Sequence, residues 1–317
     1  MKWNPVFRRE LTVSSRSIRM AAVIFVFNSV LAVVALFNMY SMMEQVRATA
    51  EIQYSRFLDL YTFVSAVEFI MLMFIMPALT ASCISGERER QTLELMLTTT
   101  MEPRQMVLGK LASSLTMMLV LAVSALPVLS LVFVYGGITV MDVALLFVCY
   151  GVVAVFTGGI GMFCSSFIRR STIATVSTYA FLVLLVAGTY AVSLFAYRMD
   201  LNELNSYALA LNASVREAGS GGFLYLLLLN PAVTFYGIIN GQAGSGSIRS
   251  GLSQIFGAVP ENWITDHWVF VSLALQLLCA AVFIAASIWL VTPIHRGRMR
   301  RFQEAVREPA RRPAKAQ

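Results

Sequence analysis

Charge is what this sequence has least of. Of its 317 residues, 13% are Asp, Glu, Lys or Arg, about half the share of an ordinary soluble domain. With 58% hydrophobic residues and a mean hydropathy of +0.72, the chain reads as a polytopic membrane protein. Histidine is scarcer still. His267 and His295 flank the last apolar stretch and cannot build a metal site by themselves. The four cysteines, Cys83, Cys149, Cys164 and Cys279, lie in or beside apolar stretches without metal-site spacing. They read as free thiols packed among helices. No Gly-x-x-x-x-Gly-Lys-Ser/Thr loop is present. Gly109-Lys110 lacks the first glycine and the hydroxyl residue, so nucleotide binding through that loop is excluded. The absence of His-Glu-x-x-His and Gly-x-Ser-x-Gly argues against a zinc enzyme or an intramembrane protease. The net charge of +7 carries no nucleic-acid signal, because its meaning depends on where the basic residues lie.

Long apolar runs are what the chain does have. Six reach the roughly 20 residues that a bilayer crossing needs. They are Met20–Met42, Tyr61–Ser82, Met106–Val134, a fourth capped by Asp142 and ending near Ile168, Thr172–Tyr197, and Trp268–Val291. Ahead of the first, Asn4-Pro5 starts a basic amphipathic helix over residues 1–19, expected to lie in the membrane interface. The apolar run after it is span-length and lacks a small-residue cleavage site, so the N-terminus does not read as a removable signal. Pro77 is expected to kink the second span, and Pro127 lies in the outer half of the third. Ala154, Gly158, Gly159, Gly161 and Ser165 predict close backbone packing of the fourth span rather than ligand binding.

Residues 198–267 are the longest polar interruption. Two Gly-rich stretches, Gly219–Gly222 and Gly241–Gly251, read as flexible joints. Between them Phe223–Asn240 is apolar but broken at Asn230-Pro231. A seventh span there would place the basic tail, 293–317, on the opposite side from residues 1–19. With six spans and both ends inside, 19 basic residues face the cytoplasm and 5 face outward, a strong positive-inside bias. Residues 223–240 are therefore expected to be re-entrant or interfacial helices. The organisation is then an interfacial helix (1–19), a six-span domain (20–292) and a basic cytoplasmic tail (293–317). All of it is α-helical, in a cytoplasmic membrane.

One charged run between spans still reads as a helix. Ser85–Lys110 carries Glu87, Arg88, Glu89, Arg90 and Glu94, then Leu93, Leu95, Met96 and Leu97. Thr92 is a candidate N-cap, and Pro103-Arg104 marks a fresh helix start. The segment 85–104 is predicted to hold a short amphipathic helix, about 86–98, on the cytoplasmic face. It is stiff enough to transmit force from a soluble partner. The run resembles the segment between the second and third spans of ABC exporter permeases of the type-two class. There an acidic-basic stretch leads into Thr-Leu-Glu-x-Leu-Leu, a Pro-containing turn, and a Gly-Lys at the next span. Here these are Glu87–Arg90, Thr92–Leu97, Pro103 and Gly109-Lys110. Gln91 stands where the family usually has Gly, and is expected to make the helix more continuous.

The resemblance implies six spans, an entry helix and re-entrant helices between the fifth and sixth spans. It also implies a coupling helix that docks on a separate ATPase through Glu87, Arg88, Glu89, Arg90, Thr92, Leu93, Glu94, Leu95 and Met96. Two permeases, identical or not, would carry two ATPase copies, with ATP and magnesium bound on those partners and no cofactor on this chain. An apolar interior fits lipid-like molecules, hydrophobic drugs or peptides as cargo. Glu68, inside the second span, has two readings: a functional intramembrane acid, or a group reaching interfacial water less than two turns from Tyr61. Together with Asn230 and Pro231 it is a candidate for the pathway or gate. If Glu68 titrates in use, the competing function is an ion-gradient-driven transporter or channel. That reading lacks the internal repeat and second broken helix such a design would show. A membrane anchor or sensor is a third reading.

Overall fold

The computed structural model describes residues 5–15, 17–49, 55–93, 102–135, 138–211, 217–243 and 247–292. Among these the chain is helical, with no strand and one isolated antiparallel bridge, Gly219 to Gly257. The helices are α1 (Pro5–Ser15), α2 (Ile18–Thr49), α3 (Ser55–Thr80), α4 (Ser85–Glu89), α5 (Pro103–Ser124) and α6 (Leu126–Tyr135). Then come α7 (Val140–Phe167), α8 (Ser171–Leu211), a 3-10 helix (Gly221–Leu229), α9 (Pro231–Ala243), α10 (Ile248–Phe256), α11 (Trp263–Asp266) and α12 (Trp268–Val291). Six helical stretches are long and apolar enough to cross a membrane, matching the six runs read from sequence. They alternate in direction, so α1, α4 and the start of α8 gather at one end of the bundle. The 3-10 helix and α9 to α11 gather at the other, the hairpin end.

α7 occupies the centre. It is the most buried of the spans and packs on α12 and α3 through its small residues. A Cβ added at Gly161 would stand 2.1 Å from Thr80 Oγ1, and one at Gly158 would stand 2.5 Å from Met76 Cε. On the α12 side Ser166 and Ser287 hydroxyls lie 2.5 Å apart. The small residues therefore serve close packing, as their spacing predicts. The cap of α7 needs correction. Thr139, not Asp142, is the N-cap; its hydroxyl accepts from the Asp142 N–H while the Asp142 carboxylate accepts from the Thr139 N–H at 2.8 Å. Asp142 completes a capping box from the third helical position.

Proline divides the third span into two helices. Pro127 has no N–H for the Val123 carbonyl, so α5 stops at Ser124 and α6 begins at Leu126. Asn28 of α2 fills the break, its Nδ2 donating to Ser124 Oγ at 2.9 Å. In α3, Pro77 orphans the Met73 carbonyl, and Tyr179 of α8 donates to the neighbouring Phe74 carbonyl at 2.7 Å.

Two expectations for the hairpin end change. α8 does not stop near Tyr197 but runs to Leu211. Arg198, Asp200 and Glu203 end its apolar character without ending its helical propensity, since no Gly or Pro intervenes. The second Gly-rich stretch is not simply a joint: Gly251 lies inside α10, where a Cβ would meet the Tyr236 hydroxyl at 2.6 Å. The predicted break at Asn230 is present. The 3-10 helix and α9 meet there at 91°.

Candidate functional site

At the α1 end the charged segment is held by four helices. α3 ends at Thr80, and a turn leads into the five residues of α4. The N–H groups of Ile84 and Ser85 donate to Ser165 Oγ of α7 at 2.9 and 3.0 Å. At the far end of α4, Glu89 accepts from the Ser171 N–H at 3.0 Å and from its hydroxyl at 2.5 Å. Ser171 opens α8, so the carboxylate also sits at a helix N-terminus, where negative charge is favoured. Glu87 accepts from Lys110 of α5 at 3.1 Å. The same ammonium lies 3.6 Å from Glu10 of α1. Lys110 is 6% exposed and pairs with both carboxylates; a lysine buried this deeply needs such partners.

Gln91 departs from the continuous helix expected of it. Its φ is +57°, in the left-handed region that suits Gly. The chain turns there: the Arg90 N–H bonds to the Gly86 carbonyl and the Gln91 N–H to the Arg88 carbonyl, closing α4. Thr92 is itself helical, and its hydroxyl points back, donating to the Glu87 carbonyl at 3.1 Å and to the Glu87 carboxylate. Leu93 is buried within the main apolar core, which also holds Ile84 and Met106. Arg88 is half-buried, while Glu89, Arg90 and Gln91 are exposed. Glu94, Leu95 and Met96 lie outside the described residues, as does the basic tail.

A second feature lies between α3 and α8. A cavity of about 390 Å³ is lined by apolar side chains, including Phe69, Met73, Phe74, Val183 and Ala187, and is closed on one side by Ala232 and Phe235 of α9. Its walls offer shape and apolar contact, with the Tyr179 hydroxyl already engaged by Phe74.

The three pathway candidates fall in different places. Glu68 is completely buried between α3 and α7 and does not reach the surface near Tyr61. The Tyr150 hydroxyl donates to it at 3.4 Å and to the Ser65 carbonyl at 3.1 Å. Asn230 and Pro231 form the turn of the hairpin. Asn230 Oδ1 accepts from the Ala232 N–H at 3.0 Å as the N-cap of α9, with Pro231 at the first helical position. Asn230 Nδ2 donates to the Val186 carbonyl and to Thr189 Oγ1 of α8, both at 2.9 Å. Below it, Thr234 and Ser272 share a 2.5 Å hydrogen bond, and Gln276 donates to Thr234 at 2.8 Å. The hairpin is pinned to α8 and α12 by these groups.

Glu10, Ser165 and Ser171 were not singled out for this site by the sequence, and Lys110 was read only as part of the Gly-Lys that opens the next span. One signal existed: Glu10 is the only acid in residues 1–19. Its pairing with Lys110, 100 residues away, leaves no local sign.

No match to a curated protein was found. A model of the ABC-2 family transporter proteins matches residues 38–292, most of the chain and all of its spans after the first. The matched region includes the charged segment after α3, the packed α7 and the bent hairpin before α12. The chain is a multi-pass membrane protein that belongs to the ABC-2 transporter family, the permease component of an ABC transporter.

Proposed function

We propose that the chain moves a lipid-like or otherwise hydrophobic substrate outward across the cytoplasmic membrane, driven by ATP hydrolysed on two copies of a partner ATPase. Two permeases, identical or paired with a second kind, form the pathway. The α1 end faces the cytoplasm, and the hairpin end faces outward. The support for that orientation is the 19-to-5 split of basic residues. α1 lies at the inner surface, where each basic residue near anionic lipid contributes about 1 kcal/mol.

The observation that carries the reading is the clamp on α4. Glu87 and Glu89, with Ile84 and Ser85, tie this short segment to α1, α5, α7 and α8. A partner pressing on the exposed Glu89–Gln91 surface moves elements that belong to the whole bundle. On the sequence pattern, Leu95 and Met96, with Glu94 and the charged run Glu87–Arg90 near them in the chain, are the proposed docking patch, an apolar centre with a polar rim. Leu93, first counted with them, is buried in the core instead. The cavity between α3 and α8 suits an apolar cargo.

Leu95→Asp tests the coupling. A charge in the apolar centre is expected to detach the ATPase or to uncouple hydrolysis from transport, while the permease still inserts. Arg90→Ala is expected to be mild, since exposed charge pairs contribute roughly 0–1 kcal/mol. Full transport with normal ATPase retention in Leu95→Asp would remove the coupling role.

A further inference from the structure

One acid in the bundle has no use in the coupling clamp. Glu68 is completely buried, and among the described residues no basic group forms an ion pair with it. One carboxyl oxygen, Oε1, has no hydrogen-bond partner; the other has only the 3.4 Å contact from Tyr150. The titratable groups that face it are Tyr61 on its own helix and Tyr150 on α7, with Cys149 and Asp142 further along α7. None is a cation. α9 contributes apolar and amide groups: Phe235 stacks on Phe69 with ring centres 4.4 Å apart and on Tyr150 at 6.5 Å, and Gln242 lies nearer the hairpin end.

The surroundings form a column. Tyr61, Ser65 and Glu68 stand one turn apart on one face of α3. Ser65 is fully buried, and its hydroxyl too lacks a partner. Above it, the Tyr61 hydroxyl donates to Gln242 Oε1 at 2.8 Å, and Gln242 Nε2 donates to the Asp142 carbonyl at 2.7 Å. Asp142 and Thr139 sit at the start of α7, at the hairpin end. A line of polar groups therefore runs from that end down to Glu68. Too few oxygens converge on Glu68 to replace the hydration shell of a metal cation. A proton needs only the carboxyl itself.

We propose that Glu68 is a proton-binding site, supplied from the hairpin end along the Tyr61 and Ser65 hydroxyls, whose proton lets α3, α7 and α9 close against one another. A carboxylate without a counter-ion cannot be buried under the Phe69–Phe235 stack without a large desolvation penalty. The neutral acid can, because an uncharged polar group costs far less to bury than an isolated charge. Release of the proton places a charge at the α3–α7–α9 junction and favours any arrangement that admits water there. The site would take up one proton as the junction closes and return it as the junction opens.

Infrared spectroscopy of the purified protein tests this directly. At neutral pH the wild type is expected to show a protonated-carboxyl C=O band that Glu68→Gln removes and Tyr150→Phe shifts. Gln has the size of the neutral acid and keeps the packing. A spectrum without a Glu68-dependent band at neutral pH overturns the proposal. Thermal unfolding gives a second reading. If folded Glu68 holds a proton that the unfolded chain releases, the wild type loses stability relative to Glu68→Gln as pH rises above the ordinary carboxylate range. A Gln variant that loses stability relative to wild type above that range, or a pH-independent gap, refutes the site.

Discussion

Replacing Lys110 with Met isolates the charge that ties three elements together. The substitution keeps the long apolar stem and removes the ammonium. Wild-type Lys110 donates to Glu87 at 3.1 Å and lies 3.6 Å from Glu10. A hydrogen bond to a charged group contributes about 1.5–3 kcal/mol. Breaking a fully buried pair costs more, about 3–5 kcal/mol, because the abandoned charge stays buried. Here the abandoned carboxylates are only partly buried: Glu87 is 26% exposed and Glu10 is 36% exposed. Water can reach both, so the expected loss is about 1.5–2 kcal/mol. The two pairs should differ. In double-mutant cycles the Lys110–Glu87 coupling is expected to be about 1–2 kcal/mol and the Lys110–Glu10 coupling below about 0.5 kcal/mol, because 3.6 Å exceeds a good hydrogen bond. Denaturant unfolding of the purified permease, with Glu87→Gln and Glu10→Gln as partners, measures both. A Glu10 coupling equal to or above the Glu87 coupling would refute the assignment of Glu87 as the principal partner. Lys110→Arg is not expected to rescue fully, since a planar fork cannot reproduce a point charge shared between two carboxylates.

Two other substitutions follow from local geometry. Gln91→Gly removes a left-handed strain of about 1–2 kcal/mol and adds about 0.5–1 kcal/mol of unfolded-chain entropy. A net gain of about 0.5–1 kcal/mol is expected as slower amide exchange over residues 85–93; faster exchange contradicts the strained turn. Gly161→Ala puts a methyl group 2.1 Å from Thr80 Oγ1 and is expected to destabilise the α3–α7 contact by about 1–3 kcal/mol. An unchanged melting temperature would show that the two helices can separate at no cost.

Which parts of this molecule were readable from sequence depends on the range of the cause. Span number follows from local composition, because twenty apolar residues need no partner to be recognised. The hairpin was readable for the same reason: Asn230-Pro231 is a cap followed by a helix-starting proline whatever surrounds it. Gln91 shows where propensity misleads. A glutamine favours continuation of a helix, yet the Ile84, Ser85 and Glu89 bonds to α7 and α8 fix where α4 must end. The end of α8 was misplaced because polarity marks where a membrane stops, not where a helix stops. The depth of Glu68 was undecidable along the chain, since only α7 and α9 bury it.

The two sites meet on one pair of helices. At the α1 end Ser165 of α7 holds Ile84 and Ser85, and Gly161 meets Thr80. At the hairpin end Tyr150 of α7 holds Glu68 and Ser65. Between them Gly158 lies against Met76 with no room for a methyl group. Helices this close slide or twist only by unpacking, and packed interfaces switch between discrete arrangements rather than deform continuously. In the proposed mechanism, a push on α4 therefore reaches Glu68 as a shared movement of α3 and α7. About 18 Å of helix separates Thr80 from Glu68 at 1.5 Å per residue. Pro77 falls within that length and removes one ladder bond, so α3 has a single weakened point at which it can bend. Tyr179 of α8, which also lines the apolar cavity, holds the carbonyl of Phe74 next to that point. A bend at Pro77 would change the cavity wall at Phe74 and the burial of Glu68 in the same motion. The order of the parts along α3, with coupling segment, proline, cavity and acid in sequence, is what would let one displacement act on all of them.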